Sequence, residues 1–208
     1  EIDKAVAIFR REQKGDNAVF CSSGLDEPAK ADVKAGKSVP RIVKFLGTDS
    51  APDGGFEVYV NLDDDKIERL IRLGNDAQAP YGYYDLGVAV QLTKSNPEWL
   101  SAVKARGIAC ETEKDLERIQ IDPWPAGGYA DAEVPAGHRA LRCIAFVRED
   151  ETDNGYARPI HGVICHVDVT AGQVVRVEDT GVVPMPPNPG RFDAAHQDSA
   201  RTDLKDLE

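Results

Sequence analysis

The 208 residues of this chain carry 36 acidic against 25 basic side chains, a net charge of −11, with 41% hydrophobic and 29% charged residues. This is an ordinary globular composition with room for one or two domains. Its acidity excludes a nucleic-acid binder, which needs a basic patch to displace counterions, and no apolar run approaches the roughly 20 residues that span a membrane.

In chain order, the first residues, EIDKAVAIFRRE, place Ile2, Ala5, Val6 and Phe9 on one helical face and lack the pattern of a signal peptide. Gly15-Asp16-Asn17 ends that helix. Strands are predicted from Ala18 to Ser23 and, after the turn-rich stretch Lys34 to Pro40, from Arg41 to Leu46. Phe56, Val58, Val60 and Leu62 then alternate with Glu57, Tyr59 and Asn61, the period of a half-buried strand. Asp63-Asp64-Asp65 turns the chain, and Ile67 to Leu73 returns. Gly74-Asn75-Asp76 is a turn-forming cluster suited to a domain boundary.

The second half repeats the plan. A helix is predicted over Asp85 to Leu92. Another starts at Asn96-Pro97, with Trp99, Leu100 and Val103 on its apolar face and Gly107 at its end. Strands follow over Glu117 to Ile121 and Ala140 to Val147, and a closing hairpin pairs Val163–Val169 with Val174–Val177 across Thr170-Ala171-Gly172. Beyond Val183 the proline-rich sequence PMPPNPGRF has no periodicity and reads as an extended connector. Helices on one face of antiparallel sheets make the fold class α+β.

Most chemical motifs fail on their spacing. His161 and His166 are an odd number of residues apart in a strand-like run, so they face opposite ways, while His138 and His196 fall in loops. Ala31 to Ser38 fits the loosest phosphate-loop pattern, but Pro40 follows where a helix should open. Asp63, Asp64 and Asp65 lack the ligand spacing of a calcium loop, because Ile67 occupies the fifth position. Cys21, Cys110, Cys143 and Cys165 form no Cys-x-x-Cys pair, and Cys143 and Cys165 lie in apolar strand-like runs, which points to buried thiols.

One stretch is more specific. LRCIAFV (Leu141–Val147) leads to an acidic loop containing Tyr156 and Arg158-Pro159, and a hairpin then ends in RVEDTGVVPMP (Arg176–Pro186). This segment resembles the N3 domain of bacterial copper amine oxidases. The resemblance implies two small cystatin-like domains, each an antiparallel sheet of about four strands packed by helix: an N2-like domain over residues 1–76 and an N3-like domain over 77–183. Residues 184–208 would be a linker toward a catalytic domain on the same polypeptide. It further implies a homodimeric parent that deaminates primary amines to aldehyde, ammonia and hydrogen peroxide, using O2, copper and topaquinone. The family's Asn-Tyr-Asp/Glu-Tyr and His-x-His motifs are missing here. Tyr81-Gly82-Tyr83-Tyr84-Asp85 lacks the Asn, so no catalytic residue, cofactor or metal is expected within this chain. By the same resemblance Leu86, Trp124 and Tyr156 line the substrate channel, with Pro123 and Pro125 fixing the loop that presents Trp124. The other reading is a free-standing cystatin-like binding module with no enzymatic role.

Overall fold

Fifteen secondary-structure elements are seen in a computed structural model, which describes residues 1–13, 17–49, 54–74, 77–126, 133–150 and 152–196. Two compact units divide the chain. One comprises Glu1–Ala89, Pro125–Leu141 and Asp168–Gln173; the other comprises Val90–Trp124, Arg142–Val167 and the residues from Val174 on.

The first sheet has the order β1-β2-β3-β4, every neighbour antiparallel. Its strands are β1 (Val19–Leu25), β2 (Ile42–Thr48), β3 (Gly55–Asn61) and β4 (Lys66–Arg72). Helix α1 (Ile2–Glu12) lies against β3 and β4. Ala5, Ile8 and Phe9 are buried on it, whereas Ile2 is exposed, so the apolar stripe is rotated toward Ile8 from the predicted one. Asp3 in the first turn and Arg10 and Arg11 in the last complement the helix dipole. The inward residues of β2 and β3 (Val43, Phe45, Phe56, Val58, Val60) meet that stripe in one core. Phe9 stacks on Phe56 at 5.4 Å, and Phe20 packs edge-on to Phe9 at 5.2 Å. Each such buried side chain contributes about 1.5–3 kcal/mol.

The β3–β4 turn is built by Asn61, whose Oδ1 accepts the backbone N–H groups of Asp63 and Asp64, both at 3.0 Å. Asp65 takes the left-handed conformation at φ 55° that closes it. Gly15 and Asp16, predicted to end α1, lie outside the described residues.

The second sheet is antiparallel with the order β5-β6-β7-β8. Its strands are β5 (Ile119–Pro125), β6 (Ala140–Val147), β7 (Val163–Asp168) and β8 (Gln173–Asp179). Cys143, Ala145 and Val147 of β6 alternate into the core, as do Val163, Cys165 and Val167 of β7. Helix α3 (Tyr83–Ser95) begins two residues before the predicted start, because Asp85 accepts the Gly82 N–H at 2.9 Å and holds the chain in helical register. Helix α4 (Pro97–Ala105) is capped by the Asn96 side chain, which accepts the Trp99 N–H, and it buries Trp99, Ala102 and Val103. Buried Thr93 of α3 sits beside the Cys143 and Cys165 thiols.

Two five-residue helices were not expected, α2 (Lys30–Lys34) and α5 (Glu113–Glu117). The first ends before Gly36, so a helix precedes the glycine that a phosphate loop would place ahead of one. Trp124 also requires a correction: Pro123, Trp124 and Pro125 belong to strand β5 rather than to a loop. The sheet order makes β5 an edge strand, where a proline's missing N–H breaks no central ladder.

Candidate functional site

Alternation along β5 separates two faces. Ile119 and Ile121 are buried in the core, which leaves Gln120, Asp122 and Trp124 together on the outer face. Over that face lies the loop that follows β6. Its buried Asp153 accepts the Glu149 N–H at 2.8 Å and the Gly190 N–H at 2.7 Å. Asn154 caps a 3-10 turn (Gly155–Ala157) by accepting the Tyr156 N–H at 3.0 Å. Gly155 permits close approach, since a Cβ there would stand 2.8 Å from the Gln120 Oε1 and 3.3 Å from the Phe146 Cβ.

This approach delivers Tyr156. Its ring meets Phe146 edge-on at 4.9 Å, and its hydroxyl donates to the Asp122 Oδ2 at 2.7 Å. Gln120 donates to the other oxygen of Asp122 at 3.1 Å. The adjacent carboxylate pushes the Tyr156 phenol above its ordinary value, because it stabilises the protonated donor. Tyr156 stays 60% exposed and Trp124 58% exposed, so two aromatic surfaces flank one oriented carboxylate. Such surfaces attract ammonium groups by about 0.5–2 kcal/mol, and the carboxylate supplies a counter-charge.

Residues from the proline-rich tail fasten this loop. Gly190 accepts the Asn154 N–H at 3.0 Å, and Arg191 reaches Asp150 and the Thr152 hydroxyl. The Thr152 hydroxyl and the Arg191 guanidinium hold the Asp150 carboxyl well below the usual carboxylate range.

Of the three residues singled out from the sequence, Trp124 and Tyr156 flank Asp122 in one unit. Leu86 is half-buried on the first turn of α3 in the other. Sequence reasoning missed Asp122, Gln120 and Asp153. The alternation Ile119-x-Ile121 against Gln120-x-Asp122-x-Trp124 was the available signal for the first two.

A second polar cluster is structural. The Arg139 guanidinium, almost fully buried, pairs with buried Asp85 at 2.8 and 3.2 Å. It also donates to the carbonyls of Ala79 and Pro80 and lies 4.3 Å from the Tyr81 ring centroid. Nearby, His138 Nδ1 lies 2.6 Å from the Asp168 Oδ2.

Among the described residues no three His, Cys, Asp or Glu side chains converge to hold a metal. His161 lies in a turn ahead of β7 rather than in a strand, and His166 sits on β7 within 3.2 Å of Glu178. His196, expected in a loop, closes a short 3-10 turn (Ala194–His196) against Asp193. The donor set therefore does not fit a copper site within these residues.

Comparison with known proteins adds four matches. Residues 85–195 match the family model described as the copper amine oxidase N3 domain. The primary amine oxidase of Arthrobacter sp. (strain P1) is 32% identical over 208 residues, all of this chain and 31% of that protein. The histamine oxidase of Arthrobacter globiformis is 28% identical over 200 residues, 93% of this chain and 28% of that protein. The chain thus spans about a third of the length of the curated relatives it matches. In fold it is similar to a copper-containing benzylamine oxidase from Hansenula polymorpha, with a TM-score of 0.70 at 15% identity, covering 100% of this chain and 34% of that one.

Proposed function

The chain belongs to the copper amine oxidase family, and from that premise we propose that it is the non-catalytic N2–N3 part of a primary-amine oxidase, shaping the entrance through which amines reach the catalytic domain. In this reading residues 1–76 are N2, 77–183 are N3 and the remainder leads to the catalytic domain of the same polypeptide, within a homodimeric parent. The parent converts a primary amine, O2 and water to aldehyde, ammonia and hydrogen peroxide. Copper and topaquinone supply that redox chemistry when present, and the residues described here take no step in it.

The observation that carries the reading is the outer face of β5. Trp124 and Tyr156 present aromatic surface to solvent on the face that carries Asp122, whose carboxylate is oriented by Tyr156 and Gln120. Leu86, in the other compact unit, is the third channel residue that the family resemblance implies. An aromatic surface with one fixed anion favours the ammonium end and the organic end of the same molecule.

Two measurements test it. Exposed to copper and air, the 208-residue chain is expected to bind no stoichiometric copper and to develop no quinone absorption; either signal at full occupancy overturns the reading. The coding sequence after Glu208 is expected to continue through Asn-Tyr-Asp/Glu-Tyr and His-x-His. An encoded stop there contradicts it and favours a free-standing binding module.

A further inference from the structure

On the other side of β6, a pocket of about 230 Å³ is lined by Arg118 and Arg158, with Ile108, Val147 and Met185 as apolar wall and Asp115 at its edge. All of these belong to one compact unit. Arg158 stands on a fixed support, because its carbonyl accepts the Val147 N–H at 3.0 Å and the next residue, Pro159, bridges to Phe146. Its Nε is buried without a hydrogen-bond partner. Among the described residues no carboxylate lies within ion-pair distance of Arg118 or Arg158. Arg118 gives its Nε to the Arg148 carbonyl at 3.1 Å. Asp115 accepts the Thr112 N–H at 3.0 Å and the Thr112 hydroxyl at 2.7 Å on Oδ2, and its charge also feels Arg118, which leaves Arg158, among the described residues, as the lining cation without a nearby carboxylate. Outside the lining, Lys94 donates to the Leu116 carbonyl and Arg148 to that of Glu117, whose carboxylate offsets part of their charge.

In a chain with 36 acidic residues against 25 basic ones, two arginines without a carboxylate at ion-pair distance beside an apolar recess stand out. The Arg158 Nε is closed off from solvent, as are those of Arg142 and Arg148, so an anion in the pocket would meet the outer nitrogens of the guanidinium. The planar fork of arginine matches a carboxylate in two-point geometry. The apolar wall calls for a ligand with a hydrocarbon body. The volume lies below the roughly 300–1,000 Å³ of pockets for drug-sized molecules, which limits that body to a small one.

We propose that this pocket binds a small organic carboxylate, with Arg158 taking the carboxylate oxygens, Arg118 adding charge, and Ile108, Val147 and Met185 enclosing the apolar part. The inference stands whether or not the amine-entrance reading holds, because the two sites share no residue.

The test is an amide chemical-shift titration of the 208-residue chain with sodium benzoate. Benzyl alcohol serves as the uncharged match and sodium chloride as the ionic-strength match. Benzoate is expected to give saturable shifts at Gly107, Ile108, Ala109 and Val147, benzyl alcohol and chloride to give none, and Arg158→Gln to weaken benzoate at least tenfold. Benzoate shifts no larger than those from chloride, equal binding of benzyl alcohol, or undiminished binding by a folded Arg158→Gln protein each overturn the proposal. If Arg158→Gln fails to fold, Arg118→Gln decides: a several-fold loss supports the site, and unchanged binding overturns it.

Discussion

The Tyr156 hydroxyl donates to the Asp122 carboxylate across 2.7 Å, joining the loop after β6 to the edge strand β5. The bond needs a protonated phenol, and the carboxylate raises the phenol's pKa. Its contribution is therefore fully present below about pH 10, the ordinary tyrosine value, and is lost as pH rises through the higher folded value. Absorbance titration of the wild-type chain minus a Tyr156→Phe variant is expected to show one phenol ionising late. Asp122→Asn should return it toward the ordinary value, and an unshifted difference titration contradicts the bond.

Arg139 and Asp85 form a buried pair with side chains 7% and 5% exposed. Removing one member leaves the other charged and buried. Arg139→Met is expected to cost about 3–5 kcal/mol, read as a lower denaturant midpoint at unchanged slope. A loss under about 1 kcal/mol would mean that Asp85 finds another partner.

Burial pushes the Cys143 thiol up to about 12 and raises that of Cys165 as well. Both thiols are therefore poor nucleophiles at neutral pH. A disulfide-exchange reagent is expected to modify half-buried Cys21 first, and all four cysteines only after denaturation. Fast labelling of Cys143 in the native chain contradicts the packing of β6.

A Cβ at Gly190 would stand 2.4 Å from the Ala157 Cβ and 3.0 Å from the Asn154 carbonyl oxygen. Gly190→Ala is expected to cost roughly 1–3 kcal/mol and to release the tail from the loop, so trypsin cuts after Arg191 several-fold faster. Acid acts on the same tether. Asp150 is held below the ordinary carboxylate range, so its contribution is present above about pH 4 and is lost as pH falls through the depressed value. An unaltered cleavage rate in the Gly190→Ala chain contradicts the tether.

What the sequence made legible follows from which signals are local. The β3–β4 hairpin was readable because Phe56, Val58 and Val60 alternate with polar residues about a turn of aspartates. Helices α2 and α5 were not, because neither buries a residue and so neither carries an apolar stripe. The capping box of Thr112 and Asp115 was the trace α5 left. Pro123 and Pro125 suggested a loop, since their tolerance depends on β5 lying at a sheet edge, which no local pattern reveals. Trp124 and Tyr156 were named from the family resemblance alone, as expectations about the channel. Asp122, 34 residues from Tyr156, and Asp85, 54 from Arg139, are joined to their partners only by tertiary folding.

Steady-state kinetics of the copper- and quinone-loaded enzyme that contains this segment test the central claim most directly. With Trp124→Ala, kcat/KM for primary amines is expected to fall several-fold while kcat at saturation stays nearly constant, the signature of a residue that meets the amine before the chemical step. An unchanged kcat/KM for every amine, or a fall confined to kcat, would contradict a role for this face at the amine entrance.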